Sequence, residues 1–487
     1  MTKFELAIRK IGECTKGSKF FNKVYLVGGC VRDRLLDINI KDVDIMVDMP
    51  NGGIELASFL TETFSDTFCN FVMFERFGTA KITYMYKTEN ECDIEFVAPR
   101  TEVYDMDSRK PIKVDFCDLK TDAIRRDFTI NALYENIHTG ELLDLVGGIK
   151  DMKLCILDTP NNPEITFFDD PLRMLRAIRF AVQKNFNLSD RVVNAIKKNA
   201  YRLSSNDNAN KSPISKERIQ DELVKMLMTH RASDAIKMLY EFGCLKYITN
   251  DQHLHNMFGF DQRNEHHNET LDNHILSVLD GVIKSGNPSL QVRLAALFHD
   301  IGKLDCYELK EDGIHYRYHG HEFVSGEISY NILKELKFSN DICDAVKFIV
   351  ERHMLLKQFN DNNGHLKITK KSARKVVRKC GSFLDDVLCI MDADNKSHEK
   401  ESANKLWYQI DEFRELVPTL YSNFTEEVDK NNFKIKIPVN GNDIMNYFNI
   451  TPGPKVKEYL EYAADVYDEF PEFSKDEILK RIKNMIE

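Results

Sequence analysis

Between Val24 and Val47 the chain reads VYLVGGCVRDRLLDINIKDVDIMV, and this stretch restricts the fold more than any other. Val24 to Val27 is a short apolar run of strand type, Gly28 and Gly29 break it, and Val31 to Leu36 has the pattern of a helix start. Two adjacent glycines let the backbone bring its N–H groups close to an anion, and the beginning of a helix adds its positive dipole end. Arg32 adds a formal charge, so a phosphate fits this turn. A second strand, Asp42 to Val47, follows. Its alternation puts Asp42 and Asp44 on one face and Val43 and Ile45 on the other. Two carboxylates so spaced, beside a phosphate cradle, suit Mg²⁺, with two ions roughly 3.5 to 4 Å apart for in-line phosphoryl or nucleotidyl transfer. Each feature taken singly fits equally an ordinary β-turn-helix followed by a solvated strand edge.

Further stretches carry chemistry. Glu91 to Val97 alternates as a strand, and either Asp93 or Glu95 can supply a third carboxylate. Thr101 to Lys113 is polar and irregular, the pattern of a mobile loop near the site. DAIRRDFTINAL, Asp122 to Leu133, is expected as one amphipathic helix in which Arg125, Arg126, Asp127 and Asn131 recur at helical spacings and face bound triphosphate. In FFDDPLRMLRAIRFA, Asp169 or Asp170 is expected as a helix N-cap with Pro171 in the first turn. Asp170 and Arg173 then lie one turn apart, an acceptor beside a donor fork, with Arg176 and Arg179 following.

The string YLVGGCVRDRLL followed by KDVDI resembles the opening motif of the class II tRNA nucleotidyltransferases, the CCA-adding enzymes, and of the related bacterial poly(A) polymerases. RRDFTINA, LLDLVGGIKDMK, DDPLRMLR and ISKERIQDELVKML continue that resemblance in family order. It implies an α+β nucleotidyltransferase head with a mixed sheet, Glu95 as the third carboxylate because it stands five positions before Arg100, and a flexible element over Thr101 to Lys113 that serves the change from C to A. It also implies that Asp170 and Arg173 form the protein template for the incoming base, although the family's Glu-Asp-x-x-Arg reads Asp-Asp-x-x-Arg here. Gly28, Gly29, Arg32 and Arg126 would hold triphosphate. The implied reaction is attack of the tRNA 3′ hydroxyl on the α-phosphate of CTP or ATP, assisted by Mg²⁺ at Asp42 and Asp44.

A second chemistry lies downstream. Twelve of the 14 histidines fall between His253 and His398. VRLAALFHDIGK puts His299 and Asp300 at the end of a buried-looking helix; His274 upstream and Asp394 or Asp392 downstream complete a ligand set of imidazole and carboxylate, suited to Mn²⁺, Ni²⁺, Fe²⁺ or Mg²⁺. The order resembles the HD phosphohydrolase superfamily, a domain that some CCA-adding enzymes carry, and His321 and His353 match positions that often add ligands.

At 487 residues the chain exceeds one core. The expected division is a catalytic head over 1–150, a helical neck with the base-selecting motif over 151–250, an HD domain over 251–400 and a helical tRNA-binding tail over 401–487. Net charge is −10, which argues against nucleic acid. Arg173 to Arg231, however, holds thirteen basic residues against five acidic. A further basic run, Lys367 to Lys379, reads as a solvated helix face or as a contact for the tRNA acceptor arm, and Ile437 to Ala463 matches the bacterial tail element. Eleven scattered cysteines without a Cys-x-x-Cys pair point to reduced thiols and a cytoplasmic setting, and no run suggests a signal peptide or membrane span. The partners expected are tRNA, CTP and ATP, with no membrane; oligomeric state stays open. The rival readings are a poly(A) polymerase, an enzyme adding only part of CCA, and an HD phosphohydrolase whose head merely binds RNA.

Overall fold

The computed structural model describes residues 2–75, 78–86, 90–105, 108–204, 214–263, 269–286, 288–361, 365–397, 406–421, 437–470 and 472–486; Asp207, Lys211 and His398 of the sequence reading lie outside them. The chain forms two compact units, Met1–Asn250 and Asp251–Glu487.

Unit 1 opens with helix α1 (Lys3–Thr15) and builds a seven-stranded sheet in the order β3-β4-β5-β2-β1-β8-β9. Its strands are β1 (Val24–Val27), β2 (Val43–Val47), β3 (Phe68–Phe74), β4 (Thr79–Tyr86), β5 (Asn90–Val97), β8 (Leu133–Asn136) and β9 (Leu142–Asp144). β2 and β5 pair in parallel and the other neighbours are antiparallel, which makes the sheet mixed. The period-two pattern explains the placement: Cys92, Ile94 and Phe96 of β5 are buried while Asp93 and Glu95 face out. Helices α2 (Gly29–Leu35) and α3 (Gly52–Thr63) follow β1 and β2.

Three local expectations change. Thr101 to Lys113 is not irregular: β6 (Arg100–Asp105) and β7 (Ser108–Phe116) pair as an antiparallel hairpin, because its polar residues alternate with Val103, Tyr104, Ile112 and Val114, residue types that favour strands. DAIRRDFTINAL is not one helix either. Helix α4 (Leu119–Arg125) stops where Arg126 turns extended, and a single 3₁₀ turn over Thr129–Asn131 leads into β8. Phe128 is fully buried against Phe180, ring centroids 5.6 Å apart, and that burial outweighs the helical spacing of the charged residues. Finally, Asp170 ends α6 (Pro163–Asp169) before α7 (Leu172–Lys184) begins, while still accepting a hydrogen bond from Leu172 N at 3.1 Å. Helix α5 (Gly148–Lys153) packs so closely that a Cβ on Gly148 would meet Thr129 O at 2.2 Å. Helices α8 (Asp190–Asn199) and α9 (Lys216–Leu227) continue the unit.

Unit 2 is mainly helical. Helices Leu271–Lys284, Leu290–Phe298, His321–Glu335, Asn340–Val350 and Leu384–Lys396 carry its polar centre, and Gly441–Phe448, Pro454–Glu469 and Lys475–Ile486 share a separate small core around Ile444, Val466 and Ile482. The basic helix Lys370–Cys380 is largely spoken for: Lys375 and Arg378 pair with Asp465, Arg378 also with Asp468, and Lys371 with Glu469, all on Pro454–Glu469. The eleven cysteines are free thiols, and no helix among the described residues is long and apolar enough to cross a membrane.

Candidate active site and a second polar centre

The head site grows from the end of β1. Gly28 has φ +70° and ψ −129°, a backbone that glycine adopts at low cost, and a Cβ there would stand 3.3 Å from Arg126 Nη1 and 3.9 Å from Asp44 Oδ2. The glycine turn, a guanidinium and a carboxylate thus meet at one point. Gly29 begins α2 and a Cβ on it would lie 3.5 Å from Arg32 Nη2. Arg32 itself is buried, donating from Nη1 to Asn131 Oδ1 at 2.5 Å and from Nε to Asp33 Oδ1 at 2.8 Å.

Asp44 and Glu95 are directly paired positions on the parallel strands β2 and β5. Asp42 is exposed, one residue ahead of β2. Burial, then the neighbouring Glu95 and, more weakly, Asp42, push the Asp44 carboxyl up to about 6 against the opposing pull of Arg126. Like charges gathered this way call for a cation, and an all-oxygen donor set fits a hard divalent ion.

Asp44 and Glu95 line a cavity of about 400 Å³ together with Arg100, Arg125, Arg126, Asp127, Asp170, Arg173, Arg176 and Arg218. Its basic residues are braced from behind. Asp122 is buried and accepts from Arg125 Nη2 at 2.6 Å, Arg126 Nε at 2.9 Å and the Tyr134 hydroxyl at 2.9 Å. Asp127 accepts from Asn131 Nδ2 at 3.0 Å and from Arg176 Nη2 at 2.6 Å; although burial opposes ionisation, Arg176, Asn131 and Arg173 hold its carboxyl far below the usual range. Arg179 is buried behind this wall, paired with Glu222 at 2.5 Å. Asp170 Oδ2 is 3.5 Å from Arg218 Nη2. Sequence reasoning assigned no role to Arg218 or Glu222, four residues apart in ISKERIQDELVKML, and that (i, i+4) spacing was the available signal.

The histidine centre in unit 2 is sealed instead of open. His274, His299, Asp300, His321, His353 and Asp394 are all buried. Two sets of ligand atoms, His274/His299/Asp300 and Asp300/His321/His353, each lie within 4.8 Å of one another and share Asp300. The main chain aims the rings: His299 Nδ1 is 2.9 Å from Ala296 O, His321 Nδ1 2.8 Å from Tyr318 O, and His353 Nδ1 2.7 Å from Val350 O, so each Nε2 points inward. Asp394 Oδ1 is 3.3 Å from His274 Nε2, whereas Asp392 turns to Lys396 and Arg414.

The ammonium of Lys303 stands 2.6 Å from Asp300, and that of Lys357 2.6 Å from Asp394. With the histidines they hold both carboxyls well below the usual range despite burial, and burial pushes the His353 imidazole down to about 4. Nε2 of His321 and of His353 and both Asp394 oxygens are buried without an aligned hydrogen bond. Unsatisfied imidazole and carboxylate atoms converging on one point fit a divalent metal.

Among described protein families, the poly A polymerase head domain matches residues 24–157, the probable RNA and SrmB-binding site of polymerase A matches 185–254, and the HD domain matches 271–406. The chain belongs to the class II tRNA nucleotidyltransferases of the nucleotidyltransferase/poly(A) polymerase family and carries an HD domain. Similar proteins include a multifunctional CCA protein of Methylobacillus flagellatus, 28% identical over 82% of this chain and 90% of that one, and a CCA-adding enzyme of Lactobacillus helveticus, 38% identical over 42% and 46%. In fold it is similar to the Bacillus stearothermophilus CCA-adding enzyme solved with CTP, at a TM-score of 0.64 and 21% identity over 100% of this chain and 98% of that one. The Thermotoga maritima CCA-adding enzyme solved with tRNA gives 0.57 and 19%, over 99% and 95%.

Proposed function

We propose that this chain builds or repairs the 3′-terminal CCA of tRNA from CTP and ATP, releasing pyrophosphate. The observation that carries the reading is the single cavity that holds the Asp44–Glu95 pair together with Asp170 and Arg173. The names of its relatives, and solved neighbours with CTP, ATP and tRNA, support it.

In this reading Asp42, Asp44 and Glu95 hold divalent metal, Mg²⁺ in the first instance, which activates the attacking hydroxyl and steadies the leaving pyrophosphate. The Gly28–Gly29 turn and Arg126 receive the triphosphate, with Arg125 and Arg176 nearby and Arg32, Asp127, Asn131 and Arg179 fixing the wall from behind. The 3′ oxygen forms a bond to the α-phosphorus as the bond to the bridging oxygen breaks. Asp170 accepts from the exocyclic amine of cytosine or adenine while Arg173 donates to the ring nitrogen. Uracil and guanine present the opposite pattern.

The proposed division is head 1–150, neck 151–250, HD domain 251–400 and tail 401–487, in a cytoplasmic protein. The histidine centre is read as a metal-dependent phosphohydrolase, with His274, His299, Asp300 and Asp394 as ligands for Mn²⁺, Ni²⁺ or Mg²⁺. A poly(A) polymerase, or an enzyme adding only part of CCA, shares the head. Incubating tRNA that ends before CCA with each labelled nucleotide separately, and then with both, separates these readings. Two C residues followed by one A support CCA addition; a run of A residues replaces it with poly(A) synthesis.

A further inference from the structure

Cys30 belongs to no functional assignment made above, yet its thiol sits at the place where the two aspartates leave the sheet. The β1–β2 ladder runs from Val24↔Val47 to Leu26↔Ile45, and there β1 departs through Gly28 into α2. In a strand, main-chain groups of residues two apart point to the same edge, so Asp42 O and Asp44 N face the edge that β1 has vacated. Cys30 fills it: its S–H donates to Asp42 O at 2.8 Å, and its sulfur accepts from Asp44 N at 3.3 Å. The side chain is buried. Burial, reinforced by the Asp44 charge, pushes the thiol up to about 12, so it keeps the proton it donates.

We infer that Cys30 is a positioning residue: its thiol replaces the missing strand partner of β2 and so fixes the main chain that carries Asp42 and Asp44. Asp42 gains most, since it stands ahead of β2 and is exposed. Asp44 is also tied on its other edge, through the pairing of β2 with β5. The inference rests on reading Asp42 and Asp44 as the metal-holding pair, and the experiment separates the two.

Amide hydrogen exchange on the parent protein is the first measurement. Protection at Asp44 N–H that disappears in Cys30→Ala, while Ile45 stays protected, is expected. Mn²⁺ binding to each full-length protein, read by electron paramagnetic resonance, should weaken by about ten- to hundredfold in Cys30→Ala, the loss usual when a supporting residue behind a metal ligand is removed. kcat for C addition should fall with it while KM for CTP is unchanged. Cys30→Ser, which keeps a donor and an acceptor, should recover most of both. An unprotected Asp44 amide in the parent, or a Cys30→Ala protein with parental Mn²⁺ affinity and kcat, overturns the inference. If Cys30→Ala does not fold, the parental exchange data and Cys30→Ser decide: exposure of Asp44 N–H in the parent, or a Ser variant no better than background, rejects the clamp. Substantial addition by Asp44→Ala would instead reject the carboxylate reading itself and leave the clamp as a fold element.

Discussion

In the head, Asp44 and Glu95 come from neighbouring strands and open onto a cavity of about 400 Å³ walled by arginines, whereas in unit 2 His299, Asp300 and His353 are shut away from solvent. The bracing differs too. Buried ion pairs such as Arg179–Glu222 support the head wall, and main-chain carbonyls aim the imidazoles of the histidine centre. A triphosphate and an RNA end need room and positive charge, so the carboxylates of the head stay apart until a cation joins them. A tight set of imidazole and carboxylate ligands needs only the metal and a small group bound to it. Two chemistries that share divalent ions are thereby built on opposite principles.

The largest expected effect tests the bracing. Glu222→Ala leaves Arg179 buried without its partner and removes a second contact from Arg176, at 3.8 Å. Breaking a buried pair from one side costs about 3–5 kcal/mol. Denaturant unfolding of unit 1 should show that loss, with a smaller one for Glu222→Gln; an unchanged midpoint would mean that the arginine wall supports itself.

Next comes the crowding of like charges. Asp44 is raised from 3.8 to about 6, by burial first and then Glu95, so its folded form holds a proton more tightly than the unfolded chain. That contribution is present in full below 3.8 and is lost as pH rises through about 6, a difference of at most about 3 kcal/mol. Asp44→Asn should therefore be more stable than the parent at pH 7.5 without divalent ions and lose that advantage near pH 4. Equal melting temperatures at both pH values would remove the electrostatic strain from the comparison.

The smallest effect concerns the base. Asp170→Ala and Arg173→Ala should each narrow the ratio of kcat/KM for CTP over UTP by about 1–3 kcal/mol, since each leaves part of the correct base unpaired. A constant ratio with falling activity would make both residues supports of the α6–α7 junction and put base choice elsewhere.

What could be read from residues alone followed local rules. The strand, glycine turn and alternating carboxylates of Val24 to Val47 are set by period-two patterning and by glycine, and the histidines hold their ligand order along the chain. What escaped depends on distant partners. Phe128 breaks the expected helix because Phe180, far along the sequence, offers it a buried face. The Lys371–Arg378 run looks like an RNA surface until Asp465, Asp468 and Glu469 fold against it. Arg218 reaches the cavity only because α9 packs beside α7. The hairpin over Arg100–Phe116 was hidden by its polar residues, which mask a strand-forming alternation.

The central claim, that the open carboxylate cavity and the closed histidine centre work independently, is tested most directly with Asp44→Ala and His299→Ala side by side. Each is assayed for nucleotide addition to tRNA ending before CCA, and for phosphate-ester hydrolysis with Mn²⁺. Asp44→Ala should add neither C nor A, bind tRNA as the parent does and retain hydrolysis; His299→Ala should lose hydrolysis and add both nucleotides normally. Loss of both activities from either single substitution, or substantial addition by Asp44→Ala, would contradict the account.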